Sequence, residues 1–191
     1  MHPMRTALVT LGWTLAATTA AIAAPTTFVP NANHTFVRFS YDHLGFTTQE
    51  SRFDKTTGTV TFDPAAKTGA VDLVIDTKSV DTGSELFNGH IQGTDFLDTA
   101  QYPTATFRSS SVKFDGDKPV SVTGDLTLKG VTKSVTLNIT SFKHGPDMMK
   151  KDAIGANATA MIKRSDFNMT KYLPMVGDEV TLTIAIEAAA P

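Results

Sequence analysis

From residue 35 to residue 186 this chain alternates apolar and polar side chains in one short run after another. A β-strand sends successive side chains to opposite faces, so a period of two commits each run to a strand with one buried face. Eight runs have this form: residues 35–44, 57–63, 70–76, 104–109, 120–128, 131–139, 154–162 and 180–186. The first puts Val37, Phe39, Tyr41 and His43 on one face, against Arg38, Ser40 and Asp42 on the other. Later runs put Val60 in phase with Phe62, Ala105 with Phe107, Leu126 with Leu128, and Ala156 with Ala158 and Ala160. Gly, Pro, Asp and Asn separate the runs. Many strands at even spacing with turn residues between them read as an antiparallel sandwich or barrel.

One segment breaks the rhythm. Residues 84–93 carry Leu86, Phe87, His90 and Ile91 at helical spacing. Ser84 suits an N-cap, Glu85 places a favourable charge in the first turn, and Gly93 is a fitting stop. A short helix is therefore expected near one end of the β-structure. Residues 143–152 read as a polar loop around Gly145-Pro146, with Met148 and Met149 as a flexible lip. Residues 164–178 are irregular, yet Phe167, Met169, Tyr172, Leu173 and Met175 are too many apolar residues for a solvated loop.

The chain has no cysteine, which excludes a disulfide framework, a thiolate metal site and a cysteine nucleophile. Residues 1–23 read as a signal peptide: Arg5, an Ala-rich apolar run over residues 6–22, and Ala21-Ile22-Ala23 as the cleavage pattern. The alternative, an uncleaved anchor, calls for a longer and less polar run. Residues 24–191 then form one mature domain with no integral membrane span. Export without cysteine points to a bacterial periplasmic or secreted setting. A formal net charge of −2 with no basic block argues against nucleic acid as a partner.

Candidate chemistry is sparse. His34, His43, His90 and His144 show no ligand spacing, so no metal site is expected. His43 shares its face with Phe39 and Tyr41. It is either a satisfied core histidine or a polar group in an otherwise apolar interior. There is no Gly-x-Ser-x-Gly elbow and no glycine-rich phosphate loop. Asp95 and Asp98 are close enough in sequence to pair, but turn-capping roles account for both. Aromatic residues on some inward faces and alanines on another leave interior volume open. A barrel of about eight strands is wide enough for packed side chains or one slender ligand.

Several blocks carry a family resemblance. They are Asn33-His34-Thr35, Gly58-Thr59-Val60-Thr61-Phe62-Asp63, and His90 with Asp95-Phe96 and Tyr102-Pro103. The most specific is Gly124-x-Leu126-Thr127-Leu128-x-Gly130-Val131-Thr132-Lys133, and Asp166-Phe167-x-Met169 with Gly177-x-Glu179-Val180 closes the set. In order and spacing they resemble the YceI family. The resemblance implies an all-β fold: an eight-stranded antiparallel lipocalin-like barrel with a short helix near one end. It also implies non-enzymatic binding of a long apolar lipid such as a polyisoprenoid, an isoprenoid quinone or a fatty-acyl amphiphile. The candidate ligand-binding residues are Val37, Phe39, Tyr41, His43, Phe62, Phe107, Leu126, Ala156, Ala158 and Phe167. No catalytic residue, metal ligand or cofactor other than the lipid is expected, and a homodimer stays open. The alternatives are a hydrolase or isomerase with His43 as base, and a structural envelope module with a solid core. Two departures stand out. Gln92 occupies a position where the family has a basic residue, and Asn168 one where it has glycine.

Overall fold

The computed structural model describes residues 25–191; the expected signal peptide, residues 1–23, lies outside them. Eleven strand segments form one sheet: β1 Thr26–Pro30, β2 Phe36–His43, β3 Thr47–Phe53, β4 Thr56–Asp63, β5 Thr68–Asp76, β6 Val80–Asp81, β7 Thr104–Asp115, β8 Lys118–Leu128, β9 Val131–Pro146, β10 Asp152–Lys163 and β11 Val176–Ala189. Every pairing is antiparallel. The ladder runs β1-β4-β5-β7-β8-β9-β10-β11, and β11 returns to pair with β1. β2 continues β1 along the same edge of β11, β3 pairs with β2, and β6 pairs with β3. β1–β2, β3–β4 and β5–β6 are thus three barrel strands each broken in two. The result is a closed, eight-position, up-and-down barrel with no free edge along most of its height.

Each of the eight alternating runs falls in a different barrel position. The missed segments are the other halves of the broken strands. β3 reads Thr-Thr-Gln-Glu-Ser-Arg-Phe, and its first four residues are exposed on both faces, so it carries no alternation to read. The expected loop over residues 143–152 shrinks to residues 147–151, because β9 and β10 extend into it. That extension is hidden in sequence by polar residues, although Phe142 and His144 pack on Phe62 with ring centroids 5.1 and 5.2 Å away.

The breaks are held by specific bonds. The Glu187 carbonyl accepts from Asn31 N–H at 2.8 Å and from the buried Thr35 hydroxyl at 3.2 Å, spanning the gap between β1 and β2. Asp54 N–H donates to the Ser79 carbonyl and Lys55 N–H to its hydroxyl, each at 3.0 Å. The other two breaks therefore lie side by side, and the wall bends there as a unit. Thr77, in the 3₁₀ turn Thr77–Ser79, donates its hydroxyl to the Tyr102 carbonyl at 2.8 Å, fixing the return from the helical excursion. That excursion holds α1, Glu85–Ile91. Among the described residues no helix is long and apolar enough to cross a membrane.

The interior divides into two buried clusters. The larger includes Phe53, Ile75, Phe107, Leu126, Ala160, Phe167 and Val180. The smaller joins Phe28, Phe62, Ile154 and Ala188 at the opposite end. Gly58 marks a close approach between β4 and β5: its φ is +131°, and an added Cβ would sit 2.0 Å from the Asp72 carbonyl oxygen. Gly58→Ala is expected to destabilise the fold by on the order of 3 kcal/mol, through strain and overpacking. Gly89, inside α1, has open space around it. Gly89→Ala is expected to stabilise by about 0.5–1 kcal/mol, the ordinary helical preference for alanine. Urea unfolding of both variants checks the pair.

Candidate ligand-binding site

One end of the barrel encloses a cavity of about 250 Å³. β2 supplies Phe39, Tyr41 and His43, and β3 supplies Phe53. Leu128, Ile162, Val180 and Leu182 come from the tops of β8, β10 and β11. Over them lies an aromatic layer. His90 sits 5.6 Å from Phe87, 5.0 Å from Phe96 and 6.4 Å from Tyr172, centroid to centroid. Tyr172 lines the cavity and is 44% exposed, so the cavity reaches the surface beneath this layer. Leu44, Leu86 and Met175, next to lining residues in sequence, are exposed as well, and so is Phe46.

Local chemistry places these groups. Ser84 caps α1 by accepting the Phe87 N–H at 3.4 Å. The helix ends at Ile91 without a left-handed glycine, and Gly93 N–H donates to the His90 carbonyl at 3.1 Å. Lys129, at the β8–β9 turn, donates to the Thr94 carbonyl at 2.8 Å and the Asn168 carbonyl at 3.1 Å, tying the two covering segments together. Asn168 adopts the left-handed backbone, φ 59° and ψ 31°, that its place in the turn requires.

Arg164 is the central polar group. It continues the inward face of β10 after Ala160 and Ile162, and it is 6% exposed. Its Nε donates to the Gly177 carbonyl at 2.8 Å, Nη1 to Met169 at 2.6 Å and Nη2 to Val176 at 2.8 Å. Burial lowers its pKa, while the charge of Asp178 opposes that shift. Burial raises the pKa of Tyr41, which Arg164 partly counters. Asp178 accepts from the Ser165 N–H at 2.9 Å and hydroxyl at 2.8 Å. Burial alone would raise the pKa of Asp178, but those bonds and the charges of Arg164 and Lys163 outweigh it, so the net shift is downward.

A second cavity, about 90 Å³, lies at the other end of the interior. Phe62, Ala156, Ala158, Phe142, Val122 and Ile184 line it. The strand order sets its relation to the first. On β10, Ile162 lines the upper cavity and Ala158 the lower, with Ala160 between them; on β8, Leu128 and Val122 do so with Leu126 between. Val37 on β2 lies one inward step below Phe39, and Phe107 pairs with Leu126 across β7 and β8. The two cavities are stacked, with a packed waist between them.

The ten residues read from sequence therefore separate by depth. Phe39, Tyr41 and His43 line the upper cavity, and Phe62, Ala156 and Ala158 the lower. Val37, Phe107 and Leu126 belong to the waist, and Phe167, 1% exposed, lies in the packed core and lines neither. Sequence reasoning missed Phe53, Phe87, His90, Phe96, Tyr172 and Arg164 as lining groups. Gln92 lines neither cavity, and its side-chain amide donates to the Lys78 carbonyl at 3.3 Å. Asp95 pairs with Lys171 at 3.4 Å, and the turn after Asp98 is closed by its carbonyl, which accepts from Gln101 and Tyr102. His34 and His144 lie far from His43 along the barrel, beside Glu187 and Asp152.

A closed eight-position antiparallel barrel with apolar internal cavities is a lipocalin-like architecture. The family model for the YceI-like domain matches residues 28–188. The chain is 42% identical to Protein YceI of Escherichia coli O157:H7 over 170 residues, 87% of each chain. The crystal structure of Burkholderia cenocepacia BcnA superposes with a TM-score of 0.70 at 29% identity, covering 83% of this chain and 98% of that one. A polyisoprenoid binding domain from Saccharophagus degradans, implicated in plant cell wall breakdown, shares the fold with a TM-score of 0.66 at 21% identity, over 88% of this chain and 100% of its own. The chain belongs to the YceI family.

The lowered pKa of Asp178 has a consequence for acid stability. A carboxylate favoured in its charged form by the fold contributes stability above about pH 4, and that contribution is lost as the pH falls through the lowered folded-state value. Asp178→Asn is expected to be less stable than the parent at pH 7, with the difference closing below about pH 4. Urea-unfolding midpoints across a pH series measure this.

Proposed function

We propose that this chain binds a long-chain apolar lipid non-covalently inside the barrel, in the bacterial periplasm. The observation that carries this reading is the stack of two apolar cavities within one closed wall. Each buried methylene contributes about 0.8 kcal/mol, so roughly ten methylenes supply about 8 kcal/mol before the costs of immobilisation. Neither covalent chemistry nor a metal is needed for tight binding. A polyisoprenoid, an isoprenoid quinone or a fatty-acyl chain has the required shape, and the polyisoprenoid binding described for the Saccharophagus domain supports the first.

Binding rather than turnover is favoured by the wall of the upper cavity. Its lining holds no carboxylate, serine or threonine, so His43 faces no orienting acid and no serine or threonine nucleophile there. A cavity of about 250 Å³ weighs against a solid structural module. The signal-peptide pattern of residues 1–23 and the absence of cysteine support the periplasmic setting.

Native mass spectrometry of the exported protein, followed by lipid extraction, tests the reading. The expected result is one bound long-chain lipid, recovered chemically unchanged. Protein that arrives empty and takes up no added polyprenol, quinone or fatty acid would overturn it. Ala158→Phe fills part of the lower cavity. Excluding two to three methylenes there is expected to cost about 2 kcal/mol, roughly a thirtyfold loss of affinity, with an unchanged circular dichroism spectrum.

A further inference from the structure

The upper cavity has one formally charged side chain in its lining, Arg164. A guanidinium carries five N–H donors. Three of them are spent on the carbonyls of Met169, Val176 and Gly177. Five less three leaves two, one on each terminal nitrogen, on a group that lines the cavity. All three acceptors are neutral, and among the described residues no carboxylate lies within salt-bridge distance of Arg164. Asp178, whose charge reaches it, is itself tied to Ser165. A buried cation without an anionic partner is costly, and a desolvated cavity strengthens whatever anion meets it.

Tyr41 adds to the same spot. Its ring lines the cavity, and none of the side-chain hydrogen bonds around it among the described residues engages its hydroxyl. Its hydroxyl remains protonated and is free to donate. No acidic side chain in the lining repels an incoming anion. Gln92 does not serve this cavity, because its side-chain amide is bonded to the Lys78 carbonyl outside it.

We propose that Arg164 and Tyr41 form an acidic-headgroup subsite, so that the preferred ligand is an amphiphile ending in a carboxylate or a phosphate. The head sits against the two free guanidinium N–H groups and the tyrosine hydroxyl. The hydrocarbon runs from there along Leu182, Ile162 and Leu128. This proposal rests on the lipid-binding reading and refines it, assigning headgroup recognition to Arg164 and Tyr41.

The test compares acids with alcohols of the same chain on the delipidated protein at pH 8. Oleate against oleyl alcohol probes a carboxylate head, and farnesyl phosphate against farnesol a phosphate head. In at least one pair the acid is expected to bind tenfold or more tightly than its alcohol. Tyr41→Phe should narrow that ratio several-fold, with a folded circular dichroism spectrum. Arg164→Gln should remove it; if that variant does not fold, the wild-type and Tyr41→Phe ratios decide. Equal affinities within both pairs would overturn the subsite and leave the lipid reading standing. Failure of all four probes to bind, with added long-chain polyprenol and quinone failing as well, would overturn both.

Discussion

Closure of the sheet is the constraint on which the rest of this structure depends. β11 pairs with β10 from Glu179 to Ala189, and on its other side with β2 and then β1 in turn. That ladder removes the exposed edges an open eight-position sheet would present. It also makes an interior lined by side chains alone, since the wall's backbone groups are spent on their neighbours. An apolar space so enclosed can hold a hydrocarbon chain without leaving a backbone polar group unpaired. The broken first strand is part of the same solution. Thr35 and Asn31 both bond to Glu187, so the seam stays closed while the chain shifts register between β1 and β2.

At the opposite end, polar bonds hold the opening in shape. Arg164 gathers three carbonyls from the segment that follows β10, and Lys129 joins that segment to the turn beyond α1. Hydrogen bonds from charged donors are stronger than neutral ones, which suits them to irregular chain that no ladder supports. The aromatic layer of Phe87, His90, Phe96 and Tyr172 rests on this frame. Apolar packing thus defines the space, and two cations fix the covering segments around it.

The sequence made the barrel legible because every strand position contains at least one half-buried run. It hid β3, whose exposed polar residues have no periodic signature, and the lower half of β9, where His144 and Lys143 mask an inward Phe142. Period two reports which face a residue occupies but not how deep along the barrel it lies. That is why Phe107 and Leu126 were rightly read as inward and yet fall in the waist instead of lining a cavity. Groups delivered by α1 and by residues 164–178 depend on how those segments fold over the end, which no local pattern encodes. Arg164 is different. Carrying the phase of Ala160 and Ile162 two residues further would have placed it inward, and only its charge argued against the step.

A hydrocarbon chain is expected to occupy the interior. Methyl NMR of the protein, titrated with a long-chain fatty acid, tests that directly. Resonances of Leu182, Ile162 and Leu128 around the upper cavity are expected to shift together with those of Ala158, Val122 and Ile184 around the lower one. Shifts confined to exposed methyls such as Leu44, Leu86 and Met175, with the interior unchanged, would contradict it.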